Sequence, residues 1–335
     1  MQTLLPGIAA ERVPTSRLTA AVLSVTGRTG DPVLFVHGNV SSSLFWQPTM
    51  LALPDGYRPL AVDLRGFGET DPEPVDATRG LGDYADDLAA VIEALGLPSV
   101  HLVGWSMGGG VVLQYLAERP AAHRAASVTL VAPVSPCGFG GTRGTEGTLC
   151  DPSGAGSGGG SVNPDFVARL AAGDRSADSP TSPRQVLLAH YVKPPFVPAE
   201  LDIFVESMLS TRTGDDNYPG TSSQVPDWPG FVPGDRGVLN TMAPGPFPDH
   251  QPGGALAQAA DPVAAGHGRR HRVRHLSVRP RLPRVHRGGS RVAGAGRVAA
   301  AADARANPCP AGRLRRGGRA VSRNRHPGLG TRSAP

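Results

Sequence analysis

The chain holds 335 residues, enough for one large α/β domain with an insertion or for two smaller domains. No apolar run reaches the ~18 residues of a membrane span, and Met1-Gln2-Thr3-Leu4-Leu5-Pro6 lacks the basic start and long apolar stretch of a leader, so a soluble cytoplasmic protein is expected. The net charge of +5 averages two unlike regions: residues 1–245 carry 15 Lys+Arg against 25 Asp+Glu, whereas 246–335 carry 18 arginines against Asp249, Asp261 and Asp303, which is −10 against +15.

In chain order, Leu18 to Val25 followed by Thr26-Gly27-Arg28-Thr29-Gly30 predicts an early strand and its turn. Pro32-Val33-Leu34-Phe35-Val36-His37-Gly38-Asn39 is a short apolar run ending in a small polar loop, as a buried parallel strand does. A helix is expected over Ser43 to Leu51, then a strand over Arg58 to Asp63 that closes in Leu64-Arg65-Gly66-Phe67-Gly68. Gly82 to Gly96 has apolar residues at helical spacing, acids in its first turn and glycine at its end. Another strand is expected over Ser127 to Val131. The alternation implies a doubly wound, mostly parallel sheet.

Between these lies Gly104-Trp105-Ser106-Met107-Gly108-Gly109, preceded by the strand-like Val100-His101-Leu102-Val103 and followed by the helix-like run from Val111 to Glu118. It reads as a nucleophile elbow. The strand ends, the chain turns sharply, and small neighbours leave room for a strained serine at the apex, in front of the amides that open a helix. A bare Gly-x-Ser-x-Gly is common, and a glycine-rich turn is its plain alternative; the flanking strand and helix favour the elbow, with Ser106 as nucleophile.

Three motifs in this order, His37-Gly38-Asn39, Asp63-Leu64-Arg65-Gly66-Phe67-Gly68 and Gly104-Trp105-Ser106-Met107-Gly108, make residues 18–133 resemble the first half of a serine hydrolase of the α/β-hydrolase superfamily. The resemblance implies an oxyanion hole made by the backbone amides of Asn39 and Met107, and an acyl-enzyme route on Ser106 shared by esterases, lactonases and carbon–carbon bond hydrolases. His37 and Asp63 are expected to anchor their loops, and the Asn39 side chain either touches substrate or only shapes its loop. Relatives with His-Gly-Asn include haloalkane dehalogenases, which, like epoxide hydrolases, place an aspartate at the elbow; Ser106 argues against both. The implied organisation is a core half over 1–133, an inserted helical cap over 134–245 lining an apolar acyl pocket, and the remainder. Within the cap, Asn163 to Ala172 and Pro198 to Leu209 look helical, while the glycine loops 138–144 and 153–160 lack a phosphate-loop signature. The resemblance also implies a small acyl compound as substrate. No cofactor and no metal are expected: Cys137, Cys150 and Cys309 have neither metal-ligand spacing nor an even framework, so free thiols are expected, a Cys137–Cys150 bridge being the alternative.

The resemblance also implies an acid after the cap and a histidine near the end, in the order Ser, acid, His. Neither is visible. His326 is the histidine nearest the place of the base, with no strand to hold it. Residues 246–335 have no Lys, Ile, Tyr or Trp and no strand-like run, a composition expected to stay disordered. A reading-frame change near 243–251 in a GC-rich gene would produce such a tail. Suitable codons for 266–274, read one nucleotide later, give Asp-Thr-Gly-Ala-Asp-Thr-Val-Ser, and codons for 321–332 give Tyr-Arg-Glu-Ile-Val-Ile-Pro-Asp-Ser-Gly-His. The rival is a basic arm binding nucleic acid or another polyanion. An arm without lysine or stacking aromatics fits codon bias better than recognition of bases.

Overall fold

In the computed structural model, residues 2–119, 124–138, 140–144, 147–227 and 229–244 are described, all within the first of two compact units, Met1–His286 and Arg287–Pro335. The expected disordered tail 246–335, His326 and Cys309 lie outside the described residues.

Six strands form one sheet: β1 Ile8–Pro14, β2 Thr19–Val25, β3 Asp31–Val36, β4 Tyr57–Val62, β5 Val100–Trp105 and β6 Ala125–Val131, in the order β1-β2-β4-β3-β5-β6. Pairings β3/β4, β3/β5 and β5/β6 are parallel, and β1/β2 and β2/β4 antiparallel. From β3 the chain winds one way to β4, and from β5 the other way to β6. The carboxyl ends of β3 and β5 therefore flank a topological switch point, where open α/β sheets form their crevice. The sequence reading missed β1. Only Ile8 of its seven residues is buried, so the strand carries almost no apolar signal.

Helices α2 Gly82–Ala94 and α3 Met107–Glu118 cover one face, burying Leu88, Val91, Val111 and Tyr115 against Leu34, Val36 and Leu102. The other face packs Val33, Phe35 and Leu23 on Trp46 and Met50. Those two come from a 3-10 turn Ser43–Trp46 and α1 Gln47–Ala52, where a single helix Ser43–Leu51 was predicted. Pro48 explains the break: it has no N–H to continue the ladder and is tolerated only in a helix's first turn.

The acids of α2 do more than complement its dipole. Arg65 is buried and grips Asp87 with two bonds, Nε to Oδ2 at 2.6 Å and Nη2 to Oδ1 at 2.9 Å, and donates to the Pro74 carbonyl at 2.6 Å. Arg17 shares Asp87 at 2.6 Å and Arg79 holds Asp83 at 2.7 Å. The Asp63–Gly68 loop is thus fastened to the first turn of α2.

After β6 come α4 Pro164–Ala171, α5 Pro183–Val186 running into a π turn Leu187–Tyr191, α6 Leu201–Leu209, three short two-stranded ribbons and α7 Val238–Thr241. The helix predicted from Pro198 begins at Leu201. This segment rests on the loops that follow β3 and β4. Ser207 Oγ meets Ser42 Oγ at 2.6 Å, Phe204 stacks on Phe45 at 4.5 Å, Ser210 Oγ accepts from the Gly68 amide at 3.1 Å, and the Arg212 amide donates to Gly66 O at 2.8 Å.

Cys137 keeps a free thiol, but Cys150 is disulfide-bonded, which corrects the free-thiol expectation for that residue and excludes a Cys137–Cys150 bridge. Cysteine spacing in the sequence carries no distance information across a fold. Among the described residues, no helix is long and apolar enough to cross a membrane, and no cluster of three metal-ligating side chains occurs.

Candidate active site

Ser106 stands at the crest between β5 and α3 with φ 54° and ψ −120°. Of the described residues other than glycine, three have positive φ: Val40, Ser106 and Ala132. Each follows the carboxyl end of a strand, β3, β5 or β6. Such backbone costs about 1–3 kcal/mol per residue and persists only where the surroundings fix it, a pattern typical of working sites. The serine is held through its main chain. Its amide donates to Val131 O at 3.0 Å, and its carbonyl accepts from Gly109 at 3.0 Å and Val134 at 2.9 Å.

Close approach rather than turn geometry requires the elbow's glycines. A Cβ on Gly108 would lie 2.3 Å from His37 O and 2.4 Å from Val36 O, and one on Gly104 would lie 2.6 Å from Gly108 O. Helix α3 thus opens directly against the end of β3. Gly108→Ala is expected to destabilise the chain by about 1–3 kcal/mol in urea unfolding, because backbone overpacking outweighs alanine's helix preference of about 1 kcal/mol. Unchanged stability would show that helix and strand are not in such tight contact.

The loop after β3 borders the serine. A Cβ on Gly38 would come within 3.0 Å of the Ser106 Cβ. The Asn39 and Met107 amides donate to no acceptor among the described residues. The buried Asn39 Oδ1 likewise has no partner among them. The Tyr191 hydroxyl donates to the Asn39 carbonyl at 3.1 Å. A cleft of ≈ 190 Å³ beside this loop is walled by Phe45, Trp105, Tyr191 and Phe204. Nothing in the local sequence sets Tyr191 and Phe204 apart from the other aromatics of residues 134–245.

His37 is fully buried. Its Nδ1–H donates to Gly38 O at 2.7 Å and its Nε2 accepts from the Leu64 amide at 2.9 Å, which ties the loops after β3 and β4 together. Asp63 does the same work from the other side, its Oδ1 accepting from the Ser43 amide at 2.7 Å and its Oδ2 from the Glu69 amide at 3.0 Å. Burial pulls the His37 imidazole down to about 4, with the Gly38 bond opposing, and pushes the Asp63 carboxyl up from its usual range, opposed by its bonds from Ser43 and Glu69. An unfolded chain protonates His37 near 6.5, the folded chain only near 4. Stability is therefore expected to fall as pH drops through that window, by about 3 kcal/mol in full. Asp63 has the opposite sign, since its raised carboxyl favours the fold as acid is added. Melting curves between pH 7 and pH 4 should show a shallower loss for His37→Gln than for the parent; parallel curves would remove His37 as the cause.

Among the described residues, no histidine or carboxylate hydrogen-bonds the Ser106 hydroxyl. His37 is engaged as above. His101 bonds Ser127 Oγ at 2.7 Å, five residues back along β5, roughly 16 Å from the elbow at strand rise. His190 is exposed on the π turn. The base candidate His326 lies outside the described residues.

Residues 31–142 match the family described as alpha/beta hydrolase fold. The chain is 42% identical over 108 residues to a non-heme haloperoxidase of Rhodococcus erythropolis, covering 32% of this chain and 38% of that protein. It is 36% identical over 92 residues to epoxide hydrolase 2 of Siraitia grosvenorii, covering 27% and 29%. The crystal structure of E-2-(acetamidomethylene)succinate hydrolase aligns over 76% of this chain and 78% of its own at 23% identity and a TM-score of 0.44. The chain spans between 22% and 39% of the length of the curated relatives it matches. Those relatives share a scaffold and carry different activities in their names.

Proposed function

The chain belongs to the α/β-hydrolase superfamily through residues 31–142, and from that premise we propose that it is a serine hydrolase acting on an ester, lactone or related acyl substrate. One observation carries the reading: Ser106 is held in a strained conformation at the switch point, in contact with a glycine loop whose Asn39 amide is open. In this reaction the Ser106 Oγ attacks the carbonyl carbon and loses its proton to a base. The Asn39 and Met107 amides receive the oxyanion, the alcohol leaves, and water then cleaves the acyl-enzyme. Residues 134–245 act as a cap, and the aromatic cleft at Trp105 and Tyr191 favours an apolar group near the acyl carbon. The unpartnered Asn39 Oδ1 suits a donor on the substrate.

Treating the full chain with a fluorophosphonate and mapping the adduct by mass spectrometry is expected to return Ser106. A folded protein that stays unmodified overturns the reading. The second reading is a catalytically impaired product of a frameshifted hydrolase gene. It is favoured by one observation: none of the three described histidines bonds Ser106.

A further inference from the structure

Tyr191 ends the π turn, a local irregularity that re-aims side chains and recurs at functional sites. Its ring stands edge-on to Trp105 at 5.7 Å and tilted to Phe45 at 6.0 Å, so it is wedged between the strand that carries the elbow and the turn after β3. From there its hydroxyl donates to the Asn39 carbonyl at 3.1 Å and lies 3.5 Å from the Val40 carbonyl. Burial pushes the hydroxyl above the ordinary tyrosine range, so it remains a donor at any working pH.

The acceptor is placed where a hydrogen bond has leverage. The Asn39 carbonyl belongs to the peptide that leads into Val40, a β-branched residue at φ 45°, which is an outlier that local sterics resist. On its other side the same residue presents the open Asn39 amide, next to Gly38 in contact with Ser106. The Asn39 N–H lies in the preceding Gly38–Asn39 peptide, so the carbonyl bond acts on it through the shared Asn39 Cα: a shift of that Cα as the Asn39–Val40 turn relaxes would displace the amide.

We propose that Tyr191 is a positioning residue for the oxyanion loop: by donating to the Asn39 carbonyl it holds the strained Asn39–Val40 turn so that the Asn39 amide faces Ser106. The segment after β6 then completes the hole as well as covering it. This rests on the serine-hydrolase reading above.

The test uses the full chain, its Tyr191→Phe variant and Ser106→Ala. Phe keeps the ring contacts with Trp105 and Phe45 and removes only the donor. The limiting rate of fluorophosphonate labelling is expected to fall about tenfold in Tyr191→Phe, the loss of one hydrogen bond, with the half-saturating probe concentration and the melting temperature little changed. The Asn39 and Val40 amide NMR resonances are expected to shift and broaden as the turn loosens, while those of β5 stay in place. A purely structural role would instead lower the melting temperature and leave the labelling rate alone. Equal labelling rates in parent and Tyr191→Phe overturn the proposal, as do unchanged Asn39 and Val40 amide resonances. A parent chain that labels no better than Ser106→Ala sinks the nucleophile reading separately, and the hydroxyl's hold on the turn is then decided by the Asn39 and Val40 resonances alone.

Discussion

Ser106→Ala is expected to abolish fluorophosphonate labelling and, where a residue of the present chain serves as its base, to lower esterase turnover by about 10³-fold or more, with the fold unchanged. The fold should survive because the serine's structural bonds are all main-chain: to Val131, from Gly109 and Val134. Its hydroxyl makes no hydrogen bond among the described residues, and alanine meets the same φ penalty as serine at 54°. Strain at the crest is thus retained while the nucleophile is lost. The melting temperature of the variant should lie close to the parent's, which separates loss of chemistry from loss of structure. Labelling that persists in Ser106→Ala would place the reactive group elsewhere and would end the elbow reading.

Where burial and periodicity coincide, the sequence was legible. Val33 to Val36, Leu60 to Val62 and the α2 stripe at Leu88, Val91 and Ile92 are buried on the faces that their spacing predicts. The crest at Ser106 was legible for a different reason: glycines at 104 and 108 are demanded by approaches of 2.3 to 2.6 Å, which leave no other residue type available. What escaped has little local signal. The edge strand β1 buries one residue of seven, the break at Pro48 is a matter of one missing N–H, and Tyr191 reaches Asn39 from 152 positions away. Arg65 was seen as part of a motif. Its role, to clamp Asp87 while Arg17 shares the same carboxylate, depends on three segments meeting and is invisible to periodicity. The substrate was not legible at all, because the cleft walls come from segments whose packing no short-range rule sets.

If the residues beyond about 245 are an out-of-frame translation, restoring the frame is expected to raise esterase activity by about 10³-fold or more over the present chain, provided both fold. The physical argument begins at Ser106. An alcohol is a weak nucleophile until a base takes its proton, and oxyanion amides alone retain only a small part of the rate. The described residues supply the crest but no histidine bonded to Ser106: His37 is buried between Gly38 and Leu64, and His101 is bound to Ser127. The sheet raises the same question. Ala125-Ala126-Ser127-Val128-Thr129-Leu130-Val131 has the apolar make-up of an interior parallel strand, yet β6 is only half-buried along its length and Val131 is 40% exposed. A sequence composed for neighbours on both sides is the edge of the sheet among the described residues. Both deficits would be met by one change. If the +1 frame from about codon 245 is open and encodes apolar strands, an Asp near positions 266 to 275 and a His near position 331, it supplies partners for β6 and the two missing members of a triad. Sequencing the gene tests the first half, since stop codons or no such pattern in that frame would end the account. Assaying parent and repaired chains on the same ester tests the second. Equal activity would mean that a residue of the present frame already takes the Ser106 proton, because no gain can come from adding a base to a site that has one.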